Sequence, residues 1–285
     1  MNVYSLNDRI LGCLIGAGAG DAMGAATESR TTEQILQYFG HKVTDFEVTP
    51  MDTFAKGNQP GQATDDFSSA YFITRHIIDH DGEITSEVVK EALIDWSEHP
   101  IFFDRFAGPT TRMAIRRYKG EEIPESDAIQ LLPRQATNGA AMKIAPIGLF
   151  NPGNVDQAIY DAAVVTMVTH DNYLAISGGS AVAAAVAEAV TPDADVYSII
   201  QAGIYARIGR EMGRDVAGPS VVKRIEMAVD IGLGKGTQEE KMVEIAERIG
   251  MGLHVAEAIP SAFGFFAAGS GNPMDAIIGA VNAGY

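Results

Sequence analysis

Thr64-Asp65-Asp66, within Gly61-Gln62-Ala63-Thr64-Asp65-Asp66-Phe67-Ser68-Ser69-Ala70, is the stretch best equipped for chemistry. Two adjacent carboxylates behind a hydroxyl make poor core material. They make good oxygen ligands for a hard cation such as Mg²⁺. The same residues also read as a helix start. Thr64 is a natural N-cap, Asp65 to His80 carries apolar residues spaced for one helix face, and acids in a first turn meet the positive end of the helix dipole. Taken alone, these ten residues support the cap at least as well as the metal site.

Three further clusters bear on that choice. Asp21 ends an apolar, glycine-rich helix and Glu28 follows seven residues later, so both acids face a pocket or both are solvated. Thr137-Asn138-Gly139-Ala140-Ala141-Met142-Lys143 is a polar turn entering a small-residue helix. Backbone N–H groups at such a helix start suit phosphate or ribose oxygens, and an ordinary cap is the alternative. Thr169-His170-Asp171-Asn172 opens another helix, with His170 either structural or a site residue. Gly16-Ala17-Gly18-Ala19-Gly20-Asp21 is no dinucleotide fingerprint, because Asp21 stands where a third glycine is required and no strand precedes it. Phe102, Phe103 and Phe106 read as core or as a hydrophobic lid.

The elements that must position these groups are helical. Apolar spacing and start signals predict helices over 7–19, 65–80, 85–99, 108–119, 139–150, 155–169, 172–190, 193–212, 219–232, 238–250, 254–267 and 273–283. Asn154…Gln157 and Thr237…Glu240 have capping-box spacing, and Asn272-Pro273 puts proline at a first helical position. Ala181 to Ala187 is small on every side, which predicts a central helix. The best strand candidate is Lys42 to Val48. No linker or repeat divides the 285 residues, so a single all-α domain over 1–285 is expected.

Composition excludes several functions. The formal net charge is -16, with 21 Lys+Arg against 37 Asp+Glu and no basic run, which argues against a nucleic-acid surface. One cysteine, Cys13, excludes a disulfide framework and suits buried packing in a reducing cytoplasm. Ile10 to Gly20 superficially resembles a secretory signal, but Asp8, a single preceding Arg9 and the continuation into Asp21-Ala22-Met23-Gly24 argue against export. Beyond that stretch, no segment has the ~18 uninterrupted apolar residues of a membrane span, so a cytoplasmic protein is expected.

Together the motifs resemble the ADP-ribosylglycohydrolase family, which includes the dinitrogen-reductase-activating glycohydrolase, the ADP-ribosyl-acceptor hydrolases and the J1 crystallins. Arg9 to Gly16 running into Gly20-Asp21-Ala22-Met23-Gly24-Ala25-Ala26-Thr27-Glu28 is similar to its opening, and Thr64-Asp65-Asp66 to its first metal motif. Asn138 to Gly148 is similar to its central motif, Thr169-His170 to its third, and Val255 to Asn282 to the approach to its last. The resemblance spans essentially the whole chain in the right order. It implies a compact all-α domain with two Mg²⁺ ions, Mn²⁺ being a possible substitute. It also implies cleavage of an N- or O-glycosidic bond at C1 of an ADP-ribosyl ribose.

Carried over by position, the resemblance makes Thr64, Asp65 and Asp66 metal ligands, and Glu28 the mobile acid that reaches the site in some members. Asn138, Gly139, Ala140 and Met142 would bind ribose and diphosphate, with His170 beside the substrate. Glu28 or Asp66 would be the general base, and the partner an ADP-ribose-type molecule or an ADP-ribosylated protein. Ala26 stands where the family usually has proline, and Phe67 where threonine or serine is commoner, which changes a substrate-side contact. The family continues past Ala-Val-Asn-x-Gly into an Asp-x-Asp-Thr motif bearing the other half of the metal site, whereas this sequence ends at Gly284-Tyr285. The expectation for the 285-residue form is therefore at most one weakly held ion and little turnover. Hydrolysis of another N-ribosyl compound, a non-catalytic ADP-ribose binder and a crystallin-like structural protein stand as alternatives.

Overall fold

The structure, a computed structural model, describes residues 4–127, 136–206 and 212–284. It is all-α: among the described residues the only β features are isolated bridges. In chain order the helices are α1 (Leu6–Thr27), α2 (Thr32–Phe39), α3 (Asp65–Asp79), α4 (Ser86–Ser97), α5 (Phe103–Phe106) and α6 (Pro109–Tyr118). A 3₁₀ turn (Asn138–Ala140) then precedes α7 (Ala145–Leu149), α8 (Val155–Met167), α9 (Tyr173–Ala189) and α10 (Val196–Tyr205). The last four are α11 (Val221–Leu233), α12 (Gln238–Arg248), α13 (Val255–Gly269) and α14 (Pro273–Ala283).

Helix α9 is the hub, and its small side chains are the reason. Ala181, Ala184 and Ala185 face a core built with Ile200, Ile225, Val229, Ile259 and Phe263. Ala183 and Ala187, on its other side, join Ile73, Ile77, Leu93, Trp96, Ile144 and Val165. A helix without bulk can be packed from both sides at short interaxial distance. Close approach recurs between α11 and α13, where a Cβ on Gly232 would lie 2.3 Å from the Gly264 carbonyl oxygen. The aromatic cluster is mostly core: Phe106 is buried, and Phe103 meets Trp96 edge-on at 5.2 Å.

Several elements differ from the sequence expectation. Helix α1 runs eight residues past Ala19, carrying Asp21 within it and ending at the Glu28 cap. Its second half is buried and its first half exposes Leu11 and Ile15. By length and composition α1 suffices to cross a membrane, although core helices and leader sequences pass the same test. Cys13 on it is half-buried. Helix α2, absent from the sequence expectation, starts with a reciprocal capping box between Thr31 and Gln34.

Lys42–Val48 is not a strand. The side-chain amide of Asn282 instead accepts from the Val43 N–H and donates to the Val43 carbonyl, both at 2.8 Å, taking the place of a strand neighbour. The expected helix over 139–150 is broken into the 3₁₀ turn and α7, because Pro146 has no N–H and fits only a first turn. Of the expected helix over 193–212, the structure forms α10, while residues 207–211 lie outside the described residues.

Candidate active site

Helix α3 begins at the chemistry, and its cap comes from a distant part of the chain. Thr64 occupies the N-cap position in an extended conformation, yet its side chain makes no capping hydrogen bond. Asp21 of α1 does that work. Its Oδ2 accepts from the backbone N–H groups of Thr64 (2.8 Å) and Phe67 (3.1 Å), and its Oδ1 accepts from Thr64 Oγ1 (2.5 Å). Thr64 is thus the N-cap residue as expected, but its hydroxyl donates to Asp21, and its own N–H and that of Phe67 are satisfied by this carboxylate from α1. Asp21 lies within α1 and Glu28 caps its C-terminal end, near enough for both charges to act on Asp65 and Asp66.

Four half-buried carboxylates result, and each is pushed toward its protonated form. Burial lifts Asp65 to about 7, with the Asp21 and Glu28 charges adding to the effect. Asp66 rises well above the usual carboxylate range, chiefly by burial and then by repulsion from Asp65, Asp21 and Glu28. Glu28 is raised by burial and by Asp21. Asp21 is raised by burial in spite of the hydrogen bonds it accepts.

The opposing charge is Lys143, a residue the sequence reading quoted but gave no role. It is 1% exposed and donates from Nζ to the Gly139 carbonyl oxygen. Burial pulls its ammonium down to about 8 against the stabilising pull of Asp65 and Asp66. A lone lysine inside Ala140-Ala141-Met142-Lys143-Ile144-Ala145-Pro146 was the signal available for it, since such a charge is rarely buried without a partner.

Lys143 also ties the acids to the remaining motifs. His170 is buried, with Nε2 3.0 Å from Thr137 Oγ1 and Nδ1 2.7 Å from Thr169 Oγ1. Burial and the Lys143 charge hold it well below its usual range, so the ring is neutral. It packs against Gly139, where an added Cβ would lie 3.3 Å from its Cε1. Asn138, Gly139 and Met142 are half-buried and Ala140 is buried. The Asn138 N–H donates to the Leu253 carbonyl at 2.7 Å, pinning the turn to the entrance of α13. The amides of Ala140, Ala141 and Met142 are not aimed at a ligand as a helix start would aim them, because each bonds back to Thr137 or Asn138 within the turn. Glu28, Thr64, Asp65, Asp66, Asn138, Gly139 and His170 are thereby linked through Asp21 and Lys143 into one charged region. Two open surface depressions, one beside Glu240 and Arg248 and the other beside Asp156 and Tyr197, include none of them.

The all-α fold is that of the ADP-ribosylglycohydrolase class. The chain belongs to that family, whose model matches residues 2–285. Among its relatives, the protein YegU of Escherichia coli K12, of uncharacterised function, is 28% identical over 272 residues, covering 90% of this chain and 76% of its own. The ADP-ribosyl-[dinitrogen reductase] glycohydrolase of Rhodospirillum rubrum is 30% identical over 155 residues, covering 53% of this chain and 47% of its own. A solved structure described as an ADP-ribosylglycohydrolase-related protein complex superposes with a TM-score of 0.67 at 20% identity, covering 98% of this chain and 82% of that one.

Proposed function

We propose that this protein is a Mg²⁺-dependent glycohydrolase that cleaves the glycosidic bond at ribose C1 of an ADP-ribosylated substrate. The observation that carries the reading is the imbalance at the start of α3, where four carboxylates with raised proton affinity face one ammonium. Such a set is stabilised by added positive charge, and its donors are all hard oxygens of the kind Mg²⁺ prefers over thiolate or imidazole. Thr64, Asp65 and Asp66 would hold a Mg²⁺ ion, with Mn²⁺ as a substitute. Bound there, the ion would orient ribose hydroxyls and acidify a water.

The chain's own groups do the rest. Departure of the leaving group builds positive charge at ribose C1, and the surrounding carboxylates stabilise it. Glu28 and Asp66, both raised from their ordinary values chiefly by burial, are the candidate general bases. Asn138, Gly139 and Met142 would supply the surface for ribose and diphosphate, with Ala140 buried beneath them. Neutral His170 fixes that surface from behind through Thr137. The lone cysteine fits a reducing, cytoplasmic setting.

The test is release of ADP-ribose from an ADP-ribosylated protein before and after chelation. Release should vanish on stripping and return with Mg²⁺. Release that survives complete chelation would overturn the metal dependence, and no release from the modified protein together with hydrolysis of a free nucleoside would move the substrate to another N-ribosyl compound.

A further inference from the structure

The far end of α3 carries a second concentration of ligating groups that the proposed reaction does not use. Three of the six histidines of the chain, His76, His80 and His99, lie there with Glu91 and Asp95. His76 and His80 stand one turn apart with their rings near parallel, 16° between planes and 6.3 Å between centroids. Glu91 and Asp95 stand one turn apart on α4 and face them. Ligand atoms of His76, His80 and Glu91 all lie within 4.8 Å of one another.

The hydrogen bonding prepares one of these rings for a metal. His80 Nδ1 is 2.8 Å from the His76 carbonyl oxygen, an acceptor only, so the proton sits on Nδ1. In the neutral ring the lone pair is thereby left on His80 Nε2, 3.3 Å from Glu91 Oε2. Orientation of a ligating imidazole by a backbone carbonyl on its other nitrogen is the outer-sphere arrangement metal sites use. Asp95, 3.0 Å from His76 Nε2, orients the second ring and adds a negative charge.

We propose that His76, His80 and Glu91 form a binding site for a first-row transition dication, Zn²⁺ in particular, that clamps the end of α3 to α4. Two imidazoles and a carboxylate are the donor set Zn²⁺ takes in tetrahedral sites, with a water completing the shell at an exposed position. Bond lengths of roughly 2.0–2.2 Å require the donors to draw about 1 Å closer than they stand. The side chains have that freedom, being 20% (His76), 39% (His80) and 58% (Glu91) exposed. Mg²⁺ prefers all-oxygen donors and competes poorly here. The site lies roughly 16 Å along the helix axis from Asp65, so the two ends of α3 select different ions.

The experiment is competition for Zn²⁺ between the chelator-stripped protein and a chromophoric chelator, with millimolar Mg²⁺ present to occupy oxygen-donor sites. The expected result is one Zn²⁺ per chain that Mg²⁺ does not displace. His80→Asn and Glu91→Gln should each weaken it at least tenfold, while Asp65→Asn leaves it unchanged. Zinc should raise the melting temperature of the parent and not of His80→Asn. Circular dichroism of the zinc-free proteins controls for folding. No uptake, or uptake lost in Asp65→Asn and kept in His80→Asn with Glu91→Gln, would overturn the proposal. Neither result bears on ADP-ribose release.

Discussion

At its first turn α3 gathers four carboxylates around one buried ammonium, whereas at its last turn each carboxylate has an imidazole beside it. The first group is half-buried and repulsive, which leaves Asp65 raised to about 7 and Asp66 higher still. The second is more exposed and balanced, so Asp95 is lowered by its hydrogen bond from His76. A fold tolerates the first arrangement only at a cost, and strained charge of that kind marks function more often than scaffold. The second costs little, and an ion there adds to stability without being required for it.

The largest effect expected follows from Asp66→Asn. Loss of a carboxylate should lower ADP-ribose release at least ~10²-fold, the scale on which removing one transition-state contact acts. Yet the melting temperature without Mg²⁺ should stay the same or rise, because one of four repelling charges is gone. Unchanged turnover would return Asp66 to a first-turn acid and nothing more.

Lys143→Met should follow, destabilising the fold by about 3 kcal/mol, as removal of one member of a buried charged set does. Adding Asp66→Asn to Lys143→Met should recover part of that loss in thermal melts. Additive destabilisation would show that the two groups do not interact. Asp21→Ala removes the acceptor of three hydrogen bonds at the start of α3 and should cost about 1 kcal/mol, near the ordinary worth of a helix cap. A melting temperature unchanged from the parent would dismiss the capping account. His80→Asn should change the zinc-free stability by about 0.5 kcal/mol or less, since it disturbs only partly exposed contacts with Glu91 and the His76 carbonyl. A larger loss in denaturant titration would mean that the two ends of α3 are less different than drawn.

Much of this contrast was legible in the sequence, and the missing parts share a physical cause. Thr64-Asp65-Asp66, Asn138 and His170 were visible because polar clusters at helix starts stand out from a 46% hydrophobic chain, and Glu28 through the family resemblance of the stretch around it. The helices were found wherever apolar spacing and a local cap coincide, as at Thr85, Asn154 and Thr237. What escaped depends on partners far along the chain. Asp21 caps a helix that starts more than 40 residues later, Lys143 meets acids from α3, and Asn282 stands in for a strand beside Val43. The His76, His80 and Glu91 grouping escaped for the same reason, since nothing local ties α3 to the face of α4 that meets it.

The account stands most directly on calorimetric titration of Mg²⁺ into the parent, Asp66→Asn and His80→Asn proteins. It predicts Mg²⁺ binding in the parent, its loss in Asp66→Asn, and no change in His80→Asn. Equal Mg²⁺ binding by the parent and Asp66→Asn would contradict it, because the acids at the start of α3 would then not be where the hard cation is held.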